Sequence, residues 1–302
     1  MRLDESRIAV TGATGFLGRY IVDSLLGRGA HVIGVVRNPT KVPELLNKGV
    51  ELRRADLTEP DRLARAFAGA NAVVSNAALL SLGRASRADV QRVNVDGTRN
   101  VFEALARAGV KRAVHVSSVA VYRGHRGTPV DEDYPLRAHA RRITRFNAYG
   151  SSKARSEQLA LRLARELALK LTVIRPSAIY GAFDASGFTH WFKRLMSCPI
   201  APYPVGMGRA LVYAGDVAEA IALALEKPVA AGRTYNIAGP NHSFWAFARE
   251  WKRAGGRTPF LMLPLPLPSF LRYDNRRARE ELGWEPRAYL EGCHDMLRRE
   301  AG

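Results

Sequence analysis

The 302-residue sequence predicts an α/β fold, in which a doubly wound parallel sheet is followed by a smaller and irregular C-terminal lobe. Short β-rich runs alternate with longer amphipathic helical patterns over the first 175 residues, which is typical of stacked βαβ units. After Arg175-Pro176 this regularity is lost and prolines become frequent. We therefore expect one domain over residues 1–175 and a second over residues 176–302, with some segments of the second returning to the first.

The individual elements follow from local residue patterns. Strands are predicted where short β-branched and apolar runs are bounded by turn residues: Ile8–Thr11, Val32–Val36, Val50–Arg54, Ala72–Ser75, Ala113–Ser117, Leu171–Ile174 and Thr234–Ile237. Helices are predicted where apolar residues recur three and four positions apart: Gly15–Arg28, Pro60–Ala68, Arg87–Ala108, Tyr149–Leu169 and Asp216–Glu226. The segment Pro259–Pro268 alternates proline with leucine, so it is predicted to be an extended connector, with a membrane-touching loop as the alternative.

The composition argues against several classes of protein. Hydrophobic residues make up 47% of the chain and charged residues 25%, which is average for a globular protein and disfavours disorder. Cys198 and Cys293 form no C-x-x-C pair and the seven histidines show no metal-ligand spacing, so we expect no metal site. The sequence shows neither a signal-peptide core nor an apolar run of membrane-spanning length, so we expect a cytoplasmic location.

The chain is strongly basic. Its formal net charge is +18, and 38 of its 46 basic residues are arginine. Because the arginines are spread along the chain, we interpret them as diffuse surface charge rather than as a site for nucleic acid or for a membrane. A polyanion partner is the alternative interpretation.

A glycine-rich turn follows the first predicted strand and opens the first predicted helix. The glycines Gly12, Gly15 and Gly18 are spaced three residues apart. This spacing allows a tight turn, a close approach of the backbone to a pyrophosphate and packing of the helix on the strand. The N–H groups at the helix start can then bind the phosphates. The position of the motif therefore predicts a dinucleotide site and a Rossmann-type sheet.

The residues after the second and third strands indicate which dinucleotide is bound. Arg37 ends the second strand, and no acidic residue lies between Val32 and Lys41. An arginine at this position suits the 2′-phosphate of NADP, whereas a carboxylate would suit the ribose diol of NAD. We therefore expect NADP, with Lys41 as a second contact and NAD as the alternative. Asp56 follows the third strand and could accept a hydrogen bond from the adenine amino group, with a helix N-cap as the alternative.

Tyr149 and Lys153 stand four residues apart at the start of a predicted helix, so their side chains lie on one face. An ammonium and a cationic nicotinamide ring near a phenol would lower its pKa and allow it to act as a general base. The fifth strand ends at Ser117-Ser118, at the carboxyl edge where a parallel sheet presents its chemistry. A hydroxyl there can hold a substrate oxygen.

Together these residues resemble the extended short-chain dehydrogenase/reductase family, also called the NAD-dependent epimerase/dehydratase family. The motifs in this order are TGATGFLG, the Asp56 segment, Asn76-Ala77-Ala78, Asn94 in NVDGT, SSVAVY, YGSSK, Arg175-Pro176-Ser177, YNIAG and ELGWEP. The resemblance covers nearly the whole chain.

The resemblance implies a role for each matching residue. Ser118 matches the catalytic hydroxyl, with Ser117 as the alternative, Tyr149 the acid/base, Lys153 the residue that also binds the nicotinamide ribose, and Asn94 a residue near the proton relay. The cofactor-binding positions are Gly12, Thr14, Gly15, Phe16, Leu17, Gly18, Arg37, Asp56, Leu57, Asn76, Ala77, Ala78, Tyr149, Lys153, Pro176, Ser177 and Ala178. Substrate contacts are expected at Ser118, Tyr122 and Arg209, with coincidence as the alternative for Arg209.

Two further groups are candidates for the substrate pocket. The arginine-rich insertion at residues 137–145 could line the entrance, with a solvated loop as the alternative. The aromatic residues Phe188, Trp191 and Phe192 could form an apolar wall, with ordinary core packing as the alternative.

Departures from the family pattern narrow the expected activity. Val119-Ala120 stand where the dehydratases of the family have an Asp-Glu pair, so dehydration is not expected. Arg123 and Ala182 replace residues usual in nucleotide-sugar epimerases, which weakens the case that this chain is such an epimerase. We expect an NADP-preferring oxidoreductase that interconverts a carbonyl and a secondary alcohol.

The sequence also leaves two alternative functions open and predicts an assembly. An epimerase that oxidises its sugar transiently is the enzyme alternative. A dinucleotide-sensing, polyanion-binding protein is the non-enzyme alternative. The expected assembly is a homodimer formed by the helices Arg87–Ala108 and Tyr149–Leu169, as is common in the family.

Overall fold

The computed structural model describes residues 1–79, 86–123, 129–137, 148–185 and 187–301. The strands in these ranges are β1 (Arg7–Thr11), β2 (His31–Val36), β3 (Glu51–Arg54), β4 (Ala72–Ser75), β5 (Arg112–Val116), β6 (Lys170–Pro176), β7 (Ala178–Tyr180), β8 (Ile200–Tyr213), β9 (Thr234–Ile237), β10 (Asn241–Ser243) and β11 (Leu261–Leu271). The predicted strands up to residue 176 agree with these bounds to within two residues at each end.

The helices in the described ranges are α1 (Phe16–Leu26), α2 (Pro43–Leu46), α3 (Pro60–Phe67), α4 (Arg87–Gln91), α5 (Gly97–Arg107), α6 (Ala148–Glu166), α7 (Phe188–Met196), α8 (Ala214–Glu226), α9 (Phe244–Arg253), α10 (Arg276–Leu282) and α11 (Tyr289–Ala301). The helix predicted over Arg87–Ala108 is interrupted, because a π-helical stretch at Arg92–Asp96 separates α4 from α5. A π-helical turn of this kind often marks a functional site.

The larger sheet is parallel throughout and runs in the order β3-β2-β1-β4-β5-β6-β9 among the described residues. The chain moves outward from β1 to β3 on one side and from β4 to β9 on the other. This order creates a switch point between β1 and β4, where open α/β sheets bind ligands at the carboxyl ends of their strands. Strand β9 lies beyond residue 176, so the second part of the chain completes this sheet.

Helices cover both faces of the sheet because alternate strand residues point to opposite sides. Ala9, Ile33 and Val73 face one side, where they form a buried cluster with apolar residues of α3, α5 and α6. Ile8 and Val32 face the other side and join a cluster that includes residues of α1 and α8. Burial on both faces explains the nearly continuous apolar sequence of these strands.

A second sheet, in the order β10-β8-β11, forms much of the C-terminal lobe. Strand β11 pairs in parallel with β8 from Leu261↔Ile200 onwards. The prediction that Pro259–Pro268 is extended is confirmed, but most of the segment is a paired strand rather than a connector. Proline is excluded from helix interiors but is tolerated in an edge strand, which is the position of β11.

The last part of the chain is tied to α8 through Asp216. The Trp284 side chain is fully buried and its Nε1 donates to the Asp216 carbonyl oxygen at 2.8 Å. The backbone N–H of Arg287 donates to the Asp216 carboxylate at 2.9 Å.

Among the helices of the described ranges, none is long and apolar enough to cross a membrane.

Candidate active site

The glycine-rich turn lies at the switch point between β1 and β4. Gly12 has φ of +68°, and a Cβ there would lie 2.9 Å from the Ala77 Cα, so only glycine fits the turn against the end of β4. A Cβ on Gly18 would lie 2.0 Å from the Gly12 carbonyl oxygen, so this glycine allows α1 to pack on the turn. Gly15 is the N-cap of α1 and offers no side chain to its first N–H groups. These groups are available to an anion.

The other turn residues differ in exposure. Thr14 and Gly15 are exposed, Phe16 is half-buried, and Leu17 and Gly18 are buried. The exposed part therefore faces the crevice, and the buried part anchors the helix.

The end of β4 is fastened to this turn by hydrogen bonds. The Thr11 Oγ1 accepts from the backbone N–H groups of Asn76 and Ala77 at 3.0 and 3.2 Å. The Asn76 Nδ2 donates to the Gly12 carbonyl oxygen at 3.4 Å, and Ala78 follows as an exposed residue. The structure thus brings both predicted cofactor segments to the same crevice.

Charged residues lie just after the ends of β2 and β3. Burial raises the pKa of Asp56, but hydrogen bonds from Thr58 and the charges of Arg37 and Arg92 outweigh it and hold the pKa below its usual value. The Asp56 Oδ1 accepts from the Thr58 backbone N–H at 2.9 Å, so Asp56 forms a local turn. It is not the N-cap of α3, because that position belongs to Glu59. Arg37 is exposed beside this carboxylate.

The neighbouring residue Leu57 contributes its backbone to this corner. Its carbonyl oxygen accepts from the Asn100 Nδ2 at 2.7 Å. This bond joins the loop after β3 to α5.

The two serines after β5 point to different partners. The Ser118 side chain lies next to Tyr149, whose pKa it lowers, and its Oγ accepts from the Ala120 backbone N–H at 3.2 Å. The Ser117 Oγ instead donates to the buried Glu157 carboxylate at 2.6 Å. Of the two alternatives, Ser118 is therefore the serine beside Tyr149.

Tyr149, Lys153 and Glu157 lie at successive four-residue steps on one face of α6. Burial raises the pKa of Tyr149 to about 12, and the hydrogen bond with Ser118 offsets part of this. Lys153 is buried and its Nζ donates to the Val116 carbonyl oxygen at 2.6 Å. Burial lowers the pKa of Lys153 to about 8, against the opposing effect of the Glu157 charge.

The sequence prediction for Tyr149 concerns a site in which a nicotinamide ring is bound beside Lys153. In the chain alone, burial has the largest effect on the pKa of Tyr149 and raises it. Desolvation of the phenolate therefore outweighs any attraction to the ammonium in the free protein. Because its pKa is raised, Tyr149 is suited to donate a proton.

A buried ion pair stands directly behind Lys153. The side chains of Glu157 and Arg175 are 0% and 4% exposed. The Arg175 Nε donates to both carboxylate oxygens, at 3.2 and 3.1 Å, and Nη2 donates at 2.5 Å. This bidentate geometry joins α6 to β6.

The pair continues into a wider buried network. The Arg175 Nη1 donates to the Tyr122 hydroxyl at 2.7 Å and to the Glu132 carbonyl oxygen at 2.8 Å. The Tyr122 hydroxyl in turn donates to the Asn236 Oδ1 at 2.5 Å. With both functions of its hydroxyl used inside the protein, Tyr122 offers no polar group to a substrate.

Asn94 lies in the π-helical stretch and is buried. Its Nδ2 donates to the Ser152 Oγ at 3.1 Å and to the Leu79 carbonyl oxygen at 3.0 Å, while its Oδ1 accepts from the Leu79 N–H at 2.7 Å. The amide thus joins the segment after β4, at Leu79, to the first turn of α6, at Ser152, so Asn94 positions the neighbour of Lys153.

The segment after β6 contains a buried hydroxyl at one of the predicted cofactor-binding positions. The Ser177 Oγ is one of the buried side-chain oxygens that have no hydrogen-bond partner within the described part of the chain. It follows the buried Pro176 and precedes the half-buried Ala178. An orphaned hydroxyl at the carboxyl end of β6 fits a polar ligand group in the crevice.

The structure describes only some of the other residues that were predicted to line the pocket. Arg209 lies in β8 opposite His242, and its side chain is outside the described part of the structure. Of the insertion at residues 137–145, only Arg137 is described. Phe192 is fully buried in the core, whereas Trp191 is 47% exposed. The described residues contain no group of three His, Cys, Asp or Glu side chains that could hold a metal ion.

The sequence patterns described above do not reveal the network behind Lys153. Two signals could have found it: a glutamate four residues after Lys153 on a helix face that is otherwise buried, and Arg175 at the end of an apolar strand. Charged residues in such places are rarely buried unless they are paired.

The doubly wound sheet, the glycine cradle and the Ser-Tyr-Lys constellation define a short-chain dehydrogenase/reductase with a nicotinamide dinucleotide site. The sequence matches the model of the NAD dependent epimerase/dehydratase family over residues 8–238. The chain belongs to this family.

Individual relatives agree with this assignment. Cinnamoyl-CoA reductase 1 of Oryza sativa is 33% identical, with 76% of this chain and 70% of the relative covered. The 4-hydroxy-2-methyl-3-oxo-4-farnesyl-3,4-dihydroquinoline-1-oxide ketoreductase of Stigmatella aurantiaca is 35% identical over 60% of this chain, which spans 52% of that relative. A short-chain dehydrogenase/reductase superfamily protein of Agrobacterium tumefaciens, solved with bound NAD, is 26% identical, with a TM-score of 0.78 and 98% of each chain covered.

Proposed function

We propose that this protein is an NADP-linked oxidoreductase that interconverts a carbonyl and a secondary alcohol on an apolar, ring-bearing substrate. The observation that carries this proposal is the placement of Ser118 next to Tyr149 at the carboxyl end of β5, with the buried Lys153 one turn further along α6. Residues 1–175 would bind the dinucleotide and residues 176–302 mainly the substrate.

The chain's own residues supply binding and proton transfer. The N–H groups of the Gly12–Gly18 turn bind the pyrophosphate, and the cofactor supplies the hydride when bound. The Ser118 hydroxyl donates a hydrogen bond to the substrate carbonyl oxygen. Tyr149 gives its phenolic proton to the same oxygen as the carbon accepts the hydride. The Lys153 ammonium then stabilises the phenolate that is left.

The direction of the Tyr149 pKa supports carbonyl reduction near neutral pH. With a pKa of about 12 the phenol stays protonated across the physiological range, so the acid needed for reduction is present. Alcohol oxidation needs the phenolate, so its rate should increase toward high pH.

The substrate class is inferred from two features. One relative is named as a ketoreductase of a farnesylated dihydroquinoline oxide and the other as a reductase of cinnamoyl-CoA, and both names contain a ring system. The C-terminal lobe carries a run of aromatic contacts, in which Phe188 packs on Trp191 and Phe192 with ring centroids 5.9 and 5.7 Å apart. Because Phe188 is only partly buried, it offers an apolar wall next to the core.

Epimerisation uses the same three residues and is the second candidate, since the family includes epimerases. Consumption of the cofactor distinguishes the two, because an epimerase regenerates its dinucleotide in each cycle. The non-enzyme alternative has no support from the relatives, which are named as reductases.

The first prediction concerns proton transfer. Replacing Tyr149 with phenylalanine should lower the rate of NADPH-dependent reduction of an aromatic or polycyclic ketone by about 10²-fold or more, because the proton donor is lost. The affinity for NADPH, measured by fluorescence, should remain within a few-fold of wild type.

Tyr235→Phe is the matched control, since it removes a buried hydroxyl that bonds Glu281 in α10 at 2.7 Å. The role of Tyr149 is rejected if Tyr149→Phe keeps the rate of the control. Steady epimerisation of a UDP-hexose without net NADPH consumption would favour the epimerase instead.

The second prediction concerns the choice of cofactor. The exposed Arg37, with Lys41 near it, should pair with a 2′-phosphate and favour NADP over NAD by about 1.5–3 kcal/mol, or roughly ten- to a hundred-fold in affinity. Calorimetric titration with both dinucleotides measures this ratio.

Arg37→Ala should abolish most of the preference. Arg107→Ala, which removes a 55% exposed arginine from α5, should leave it intact. Equal or tighter binding of NAD by the wild-type protein would show that Arg37 is an ordinary surface residue.

The third prediction concerns assembly and location. We expect a cytoplasmic homodimer formed by α5 and α6, which lie side by side on one face of the sheet. Their apolar residues pack on the sheet, so the surface left for a partner includes charges such as Glu103 and Arg162. Sedimentation equilibrium at micromolar concentration should give twice the chain mass, and the mass of one chain would reject this assembly.

A further inference from the structure

An exposed row of apolar side chains lies along the outer edge of the C-terminal lobe. It consists of Ile200, Phe260, Leu261, Leu263 and Leu265, and is called the apolar ridge below. Phe260 is 97% exposed, and the other four are between 44% and 56% exposed. A phenylalanine with nearly its whole surface in solvent contributes nothing to the core, so folding does not explain it.

The ridge is one continuous surface. The N–H groups of Phe260 and Leu261 both donate to the Pro199 carbonyl oxygen, at 2.9 and 3.2 Å. Leu261 is paired with Ile200 across the strands. Leu263 and Leu265 follow at two-residue steps, which places them on the same face of β11.

Met262 lies between two ridge leucines, on the opposite face of β11. It is partly buried and packs against the large apolar cluster, whereas Pro264, the next residue on that face, is exposed. Strand β11 therefore already contacts the core through Met262. Its outward side is apolar as well, which is unusual for an edge strand.

Basic residues predominate in the two chain segments that contribute to the ridge. Residues 191–200 and 249–265 contain six basic residues and one acidic residue, and of the six Lys193 is paired with Glu300 of α11. The acidic residue, Glu250, has a side chain that is only 15% exposed and is paired with Arg249 and Arg253. Arg194, Lys252 and Arg257 are exposed. These three exposed residues are called the basic rim below. The apolar ridge and the basic rim together match a surface that is apolar inside and anionic outside.

A second copy of this chain does not fit this surface. A two-fold contact would bring the same basic rim against itself, which repels in a chain of net charge +18. Pro264 and Pro266 also lack the N–H groups that edge-to-edge strand pairing requires.

We propose that the apolar ridge is a docking surface for an anionic lipid bilayer. Phe260 and the leucines enter the interface between headgroups and acyl chains, and the basic rim binds the lipid phosphates. This is peripheral binding and requires no spanning helix. It is also independent of the proposed reaction, because none of these residues belongs to the Ser-Tyr-Lys constellation.

Vesicle binding of the full chain tests the proposal. Wild-type protein should co-sediment with phosphatidylcholine vesicles that contain about one third phosphatidylglycerol, and weakly with phosphatidylcholine alone. Phe260→Ser/Leu263→Ser should lower the partition coefficient by about tenfold, since the inserted apolar surface is lost. Leu46→Ser is the control, because Leu46 is 53% exposed on α2, outside the ridge.

A second pair of variants separates local from general charge. Lys252→Glu/Arg257→Glu should abolish binding to the anionic vesicles. Arg62→Glu/Arg65→Glu on α3 makes the same change in net charge and should keep most of it. Circular dichroism and NADPH affinity confirm that each variant is folded.

Three results would overturn the proposal. These are no binding of the wild type to anionic vesicles, equal loss in the ridge and Leu46 variants, and equal loss in both charge-reversed pairs. A self-association that disappears in Phe260→Ser/Leu263→Ser, without vesicle binding by the wild type, would assign the ridge to a second copy of the chain instead.

Discussion

The buried pair between Glu157 and Arg175 is the interaction on which the arrangement of the active site depends. It joins the middle of α6 to the end of β6, and both side chains are almost entirely removed from solvent. Removing one partner of such a pair typically costs about 3–5 kcal/mol, because the other charge is left buried and unpaired. The helix face that carries Tyr149 and Lys153 is therefore fixed in rotation against the sheet.

The same pair shapes the electrostatics of the site. Lys153 is buried one helical turn before Glu157, and burial alone would favour its neutral form. The Glu157 charge opposes this and keeps the pKa of Lys153 at about 8, so the ammonium persists at neutral pH. Because Arg175 and Ser117 hold the carboxylate in place, its effect on Lys153 has a fixed geometry. Asn94 restrains the preceding turn of α6 through Ser152.

Much of the fold could be predicted from the sequence because it depends on local patterns. The β-rich runs of the first 175 residues and the spacing of Gly12, Gly15 and Gly18 depend on short-range sterics, and the structure agrees with both. Strand β11 could not be predicted, since the pairing partner that makes it a strand, β8, lies about sixty residues earlier in the sequence.

The site was less accessible to sequence reasoning. The roles of Ser117 and Ser118 differ only because Glu157 and Tyr149 approach them from another element. Burial raises the pKa of Tyr149 in the chain alone, and this effect could not be predicted, since spacing reveals a neighbouring charge but not the loss of solvent. Tyr122 resembled a substrate contact in sequence, whereas its hydroxyl bonds Arg175 and Asn236, which are distant along the chain.

The most direct test of this account is the NADPH dissociation constant measured between pH 7 and pH 10, since it needs no substrate. Because the cationic form of Lys153 is present below its pKa of about 8, affinity should be constant below that pH and weaken above it. Glu157→Gln should move the decline to lower pH. Glu219→Gln, which removes a surface partner of Arg28, should behave as wild type. A wild-type affinity that stays constant to pH 10, or a decline unmoved by Glu157→Gln, would contradict the account.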